Sequence, residues 1–189
     1  MSRIRRIRRR LLGGWTFGRG EGARFLYHPD YRGGLTGIPM DAVRGERVLA
    51  WLLEEGWIRP GAVVTPRPAS MENLLRAHTA EYLRRLEDPA EVARIMGLPL
   101  SPQEAAAALA MQRLAAGGTI QATRLALRGG KVAFHLGGGF HHAGPDRGTG
   151  FCLLNDVAVA VKRLRARGFE APVLVVDLDL HDGNGTRAA

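Results

Sequence analysis

The stretch Val173-Leu174-Val175-Val176-Asp177-Leu178-Asp179-Leu180-His181-Asp182-Gly183-Asn184-Gly185 decides how this chain is read. Its first four residues form a β-branched, apolar run of the kind that makes a buried parallel strand. Asp177, Asp179 and His181 then fall at the C-terminal end of that strand, where open α/β sheets carry their sites. Strand side chains alternate, so these three start on one face while Leu178 and Leu180 fill the other. Two carboxylates and an imidazole on one side of a strand end point to a metal site, although an Asp-x-Asp pair alone serves magnesium or calcium equally well.

Working outward, Lys131-Val132-Ala133-Phe134-His135-Leu136 reads as a second buried strand. Gly137-Gly138-Gly139 after it lets the backbone pass close to something at the strand end. The triplet lacks the Lys-Ser/Thr of a phosphate loop and the spacing of a dinucleotide fingerprint; the histidine pair His141-His142 follows it instead. Gly144 to Gly150 is a long turn leading to Phe151. Asn155 to Gly168 is predicted as a helix, with an apolar face, basic residues in its last turns and a glycine stop. Strand, loop, helix, loop and strand make one right-handed βαβ unit that brings both polar blocks to the same sheet edge.

Taken together, Gly137-Gly-Gly-Phe-His-His-Ala143, Gly150-Phe151-Cys152, Asn155-Asp156 and Asp177-x-Asp-x-His-x-Gly-Asn-Gly185 resemble the zinc-dependent histone deacetylase family. Asp146-Arg147-Gly148 and the His-x-Gly-Asn-Gly form are most similar to its class IV branch and to bacterial deacetylase-like proteins. Weaker likeness runs back through His78-Thr-Ala-Glu-Tyr82 to Tyr27-His28-Pro29. The resemblance implies an α/β fold with an open, mostly parallel three-layer sheet (arginase/deacetylase-like) and helices on both faces. It implies Asp179 and His181 as zinc ligands, His141 and His142 as catalytic acid/base residues, and Asp177 and Asn184 as their respective partners. Gly150 and Phe151 become walls of a substrate channel, and a structural monovalent cation is implied near Asp177. Position 184 is asparagine where aspartate is commoner; an amide orients an imidazole but supports its charge less than a carboxylate does.

The activity so implied is removal of acyl groups, acetyl above all, from lysine side chains or from a small acylated amine. The resemblance also implies a third zinc-binding aspartate and an oxyanion-stabilising tyrosine, both further along than Ala189. The chain is therefore expected to be an N-terminal fragment lacking its C-terminal strands, and inactive or nearly so alone. The rival reading is a non-enzymatic pseudo-deacetylase fragment whose basic arm binds nucleic acid or an acidic partner.

Composition sets the outer bounds. The 189 residues are 46% hydrophobic and 24% charged, ordinary globular material with enough length for one sizeable core. The net charge of +9 is concentrated at the start, with arginine at positions 3, 5, 6, 8, 9 and 10. Residues 1–20 are read as a basic arm, a solvated tail or a phosphate-binding segment, and residues 21–189 as the N-terminal part of the α/β domain. No apolar run approaches the ~20 residues of a membrane span, and the single cysteine, Cys152, fits a reducing, cytoplasmic setting as a packed thiol.

In the N-terminal half, Ala23 to His28 reads as a first strand ended by Pro29, and Asp30 to Met40 as a turn-rich loop. Asp41 to Gly56 reads as a helix packing Val43, Val48, Trp51 and Leu52 on the sheet. A short strand at Val63 to Thr65 precedes a helix entered at Ser70, with His78 read as a packing or hydrogen-bonding residue. Residues 87–103 are expected at the surface, as a loop broken by a short helix at Glu91 to Met96. The alanine-rich run from Gln103 to Leu127 is a helix in which Gly117-Gly118 marks a kink, a break or a close backbone approach.

Overall fold

A computed structural model describes residues 22–33, 41–129 and 132–189; the basic arm and most of the Asp30 to Met40 loop lie outside these. Strand β1 (Ala23–Leu26) is central in a three-stranded parallel sheet ordered β2-β1-β3, with β2 at Val63–Val64 and β3 at Val132–His135. Phe25 is opposite Val63 on one side and Phe134 on the other, and the Phe25 and Phe134 rings stack at 4.9 Å. Such cross-strand aromatic pairs hold register as well as bury area.

Helix α1 (Arg44–Glu54) packs on this sheet and stops at Gly56 with φ 66°. It presents Leu49, Leu52 and Leu53 to Phe25 and Ile58. The expected face is therefore corrected, because Val48 and Trp51 are exposed. The helix carries apolar residues around more than half its girth, and the sheet selects the leucine side.

Helices α2 (Met71–Leu74), α3 (Ala80–Arg85) and α4 (Pro89–Met96) start at Ser70, Thr79 and Asp88, whose side chains accept the backbone N–H of Asn73, Tyr82 and Ala90. Each such cap stabilises its helix by about 1 kcal/mol. The surface reading of residues 87–103 is overturned for α4. Val92, Ile95 and Met96 are buried with Tyr82, Leu86, Leu153 and Leu154 in the main core.

Helix α5 (Pro102–Gly129) runs unbroken through Gly117-Gly118. The glycines mark close approach: a Cβ on Gly117 would collide with the backbone carbonyl of Arg67. Helix α6 (Asp156–Arg165) lies along α5, begins at Asn155, whose side chain accepts from Ala158 N–H, and is followed by Gly168 with φ 82°. Helix α7 (Asn184–Ala188) closes the described chain. No helix among the described residues is long and apolar enough to cross a membrane.

Two strand expectations need correction. β3 is only half-buried, with Val132 and Phe134 exposed, because its second edge has no partner strand among the described residues. Val173 to Val176 forms no strand, so the βαβ unit is not closed and Asp177 to His181 do not follow a paired strand. The period-two alternation persists, yet its apolar face meets nothing: Leu174 is 85% exposed, Leu178 91% and Leu180 94%. Locally, the Asp177 carboxylate accepts the backbone N–H of Asp179 at 3.0 Å, and the Asp179 carboxylate that of His181 at 2.8 Å. These side chains take donors that a ladder would otherwise use.

Candidate active site

The histidine pair sits just past β3, on the loop from Gly137 to Ala143. His141 and His142 stand ring to ring, centroids 4.1 Å apart. His141 Nδ1 lies 2.7 Å from Asp177 Oδ2, and His142 Nδ1 lies 2.8 Å from Asn184 Oδ1. A carboxylate and an amide oxygen only accept, so both imidazoles carry hydrogen on Nδ1 and leave Nε2 for chemistry. The hydrogen bond from His141 is the largest of the causes that hold the Asp177 carboxyl below its usual range.

These contacts join segments far apart in sequence, and the backbone secures them. Thr186 N–H donates to His141 O at 3.0 Å. The Asn155 side-chain amide donates to Ala143 O and to Thr186 Oγ1, each at 3.0 Å. Gly185 is required here because a Cβ would strike the His142 and Ala143 backbone. The second glycine of His-x-Gly-Asn-Gly thus lets α7 lie directly against the histidine loop.

On the other flank, Gly150 lies so close to the His142 ring that a Cβ would come within 2.5 Å of His142 Cδ2. Phe151 follows with φ 65°, and it is the one non-glycine residue of the described chain in the left-handed region. Such a conformation costs on the order of 1–3 kcal/mol and persists where surrounding structure enforces it. Gln112, fully buried on α5, enforces it by donating to Phe151 O at 2.6 Å and accepting from Leu153 and Leu154 N–H. The Phe151 side chain packs against the main core. Cys152 is buried with its thiol pKa pushed up to about 11 by desolvation, which removes it as a nucleophile.

Asp179 and His181 stand beside the pair, with His181 Nδ1 3.0 Å from Asp179 Oδ1 and the His181 ring 6.0 Å from that of His142. Both are more than half exposed, and the backbone and side-chain hydrogen bonds from His181 lower the Asp179 pKa. Oxygen and nitrogen donors side by side are what zinc takes, but catalytic zinc uses three protein ligands. Among the described residues no group of three or more histidines, cysteines, aspartates or glutamates gathers to hold a metal ion. The donors fit zinc in kind and fall one short in number. Asp182 is paired with Arg187.

Nothing in the sequence gives a site role to Gln112, Asn155 or Asp156, nor to His78, whose ring is tied to the backbone of Gly144 and Asn155. The available signal was local: Asn155-Asp156 stands where a helix cap belongs.

A histidine pair backed by Asp177 and Asn184 at the edge of an open parallel α/β sheet defines a candidate acid/base hydrolase site. Residues 38–189 match the histone deacetylase domain. The chain is 38% identical over 170 residues to an uncharacterized protein of Picosynechococcus sp., covering 85% of this chain and 53% of that protein. It is 34% identical over 171 residues to histone deacetylase 2 of Arabidopsis thaliana, covering 85% and 43%. The crystal structure of a histone deacetylase homologue complexed with SAHA superposes with a TM-score of 0.71 at 29% identity, covering 88% of this chain and 47% of that one. The chain belongs to the histone deacetylase family and has its open α/β fold, and it spans about half the length of these relatives.

Proposed function

We propose that this chain forms the acid/base half of a zinc-dependent deacylase that hydrolyses acylated lysine side chains or a small acylated amine in the cytoplasm. The observation that carries the reading is the histidine pair, with Nδ1 atoms held by Asp177 and Asn184 and with Asp179 and His181 alongside. Membership of the family supports amide hydrolysis as the reaction.

Asp179 and His181 are the residues that would hold zinc, together with a donor from outside the described residues. When bound, the metal supplies a Lewis acid for the acyl carbonyl and lowers the pKa of a water. His141 and His142 each offer a bare Nε2 that can accept a proton from an attacking water or return one to the leaving amine, worth roughly 10²–10⁴-fold. Asp177 orients the His141 ring through its Nδ1 and Asn184 orients that of His142 in the same way. Gly150 and Phe151 form the wall along which the acyl-lysine stem enters, and a structural monovalent cation is assigned to the Asp177 region. The domain boundary is set at residue 21, after the basic arm. Cys152, buried and unpaired, supports a reducing compartment.

With two donors rather than three among the described residues, the chain by itself is proposed to bind zinc weakly and to turn over little or nothing. A zinc titration of the purified chain with an acetyl-lysine peptide assay tests this. Weak zinc binding lost in Asp179→Ala and His181→Ala, without turnover, is expected. Zinc binding indifferent to both variants rejects the ligand assignment, and tight stoichiometric zinc with turnover rejects the inactivity of the chain.

A further inference from the structure

Behind the histidine loop, a second chain of polar side chains runs through the interior. Tyr31 Oη lies 2.7 Å from His135 Nε2, His135 Nδ1 lies 2.9 Å from Thr119 Oγ1, and Thr119 Oγ1 reaches Asp156 Oδ2. Asp156, 1% exposed, also accepts the backbone N–H of Phe140 at 2.8 Å and of Gly139 at 3.1 Å. The next residue is His141. The surroundings are built around this chain: a Cβ on Gly118 would collide with His135 Nε2 and Tyr31 Oη, and one on Gly138 with Asp156 Oδ2 and His135 Nδ1.

The direction of every hydrogen follows from the partners. The Asp156 carboxylate meets only donors, so Thr119 donates its one hydroxyl hydrogen to it and must accept from His135. His135 therefore carries hydrogen on Nδ1. Burial disfavours a second proton on this ring and pushes the Tyr31 phenol pKa up, so Tyr31 donates to a bare His135 Nε2. All three hydrogens point the same way, from Tyr31 toward Asp156.

We propose that Asp156 is the positioning residue of the histidine pair, and that Tyr31, His135 and Thr119 form a one-way hydrogen-bond relay holding its carboxylate against the Gly139-Phe140 backbone. The relay fixes where His141 and His142 start, and with it the reach of His141 to Asp177. Its functional meaning rests on the deacylase reading above, but its geometry does not.

The test uses the full 189-residue chain with ¹⁵N-labelled histidine, observed by NMR without metal or substrate, so the result is independent of whether the chain is a deacylase. In the parent, His135 is expected as the neutral Nδ1–H tautomer. In Asp156→Asn, the two loop N–H groups hold the amide oxygen and turn its NH₂ to Thr119. Thr119 then donates to His135, and the His135 hydrogen moves to Nε2. The His141 and His142 ring signals shift with it. Thr119→Ser keeps the parent tautomer and Thr119→Val loses it, which preserves the test if Asp156→Asn fails to fold. An Nε2–H tautomer in the parent overturns the relay, as does a tautomer unchanged in both Asp156→Asn and Thr119→Val. A flipped His135 with unshifted His141 and His142 signals overturns the positioning role.

Discussion

His78 Nε2 accepts the backbone N–H of Asn155 at 3.1 Å, a bond spanning 77 positions, while His78 Nδ1 lies 2.9 Å from Gly144 O. A backbone N–H only donates and a carbonyl only accepts, so the hydrogen is on Nδ1 and a second proton on Nε2 would face a donor. His78 thereby clips both ends of the Gly144 to Asn155 segment that carries Gly150 and Phe151.

Desolvation, outweighing the backbone hydrogen bonds, lowers the His78 pKa. The unfolded chain, with an imidazole pKa of about 6.5, then binds more protons than the folded one. Stability is complete above that value and falls as pH drops below it, by at most about 1.4 kcal/mol per pH unit for one proton. His135, lowered by burial, acts in the same direction and window. Asp177, whose pKa is depressed, withdraws its contribution only below the ordinary carboxylate range. Urea midpoints are expected to fall between about pH 7 and about pH 5, with a shallower fall in His78→Gln. Equal slopes for parent and variant would refute the assignment.

Gln112 satisfies three backbone groups at once, Phe151 O and the N–H groups of Leu153 and Leu154, from a fully buried position. Gln112→Met keeps much of the volume and leaves all three unpaired, at about 1–3 kcal/mol each. A loss of 3 kcal/mol or more is the expected outcome, on the order of several such penalties combined. Equilibrium unfolding measures it; a loss within about 0.5 kcal/mol, the range of an ordinary surface change, would mean that Phe151 is held by something else.

What could be read in the sequence was what local chemistry decides. The caps at Ser70 and Asn155 and the stops at Gly56 and Gly168 need only neighbouring residues, so they were legible. The face of α1 was not, because choosing Leu49 over Val48 and Trp51 requires the sheet it meets. At Val173 to Val176 the alternation was legible, but pairing belongs to a neighbour strand and not to the segment itself. At the site, the residue blocks were visible, and the partners of His141 and His142 came through family resemblance. The relay was hidden because Tyr31, Thr119, His135 and Asp156 meet only after folding.

Gly118 offers a contest whose sign can be decided in advance. In a helix interior, Gly→Ala ordinarily stabilises by about 1 kcal/mol. Here the new methyl would collide with His135 Nε2 and Tyr31 Oη, which are part-buried and hydrogen-bonded to each other. Overpacking of this kind typically costs about 1–3 kcal/mol, so Gly118→Ala is expected to destabilise the chain despite its better propensity. Gly97→Ala is a poor control because its φ is 63°; Gly61, with open space around its Cβ position, is a sound one. A Gly118→Ala chain more stable than the parent in thermal unfolding would show that α5 can shift away from the relay.

The apolar ribbon beyond α6 governs how the chain behaves in solution. Leu174, Val176, Leu178 and Leu180 project on alternate positions and are exposed, while Asp177 is tied to His141 on the opposite side. An extended, apolar, unpaired segment is a template for pairing with another chain, and contiguous exposed apolar surface drives association. The chain is therefore expected to self-associate with rising concentration. Leu174→Lys together with Leu178→Lys should shift it toward monomer, because charge blocks edge pairing, while stability changes by no more than about 0.5 kcal/mol for each exposed position. Analytical ultracentrifugation across a concentration series reads the first effect and denaturant unfolding the second. A parent that stays monomeric throughout, or a double variant that associates as strongly, would place the association surface elsewhere.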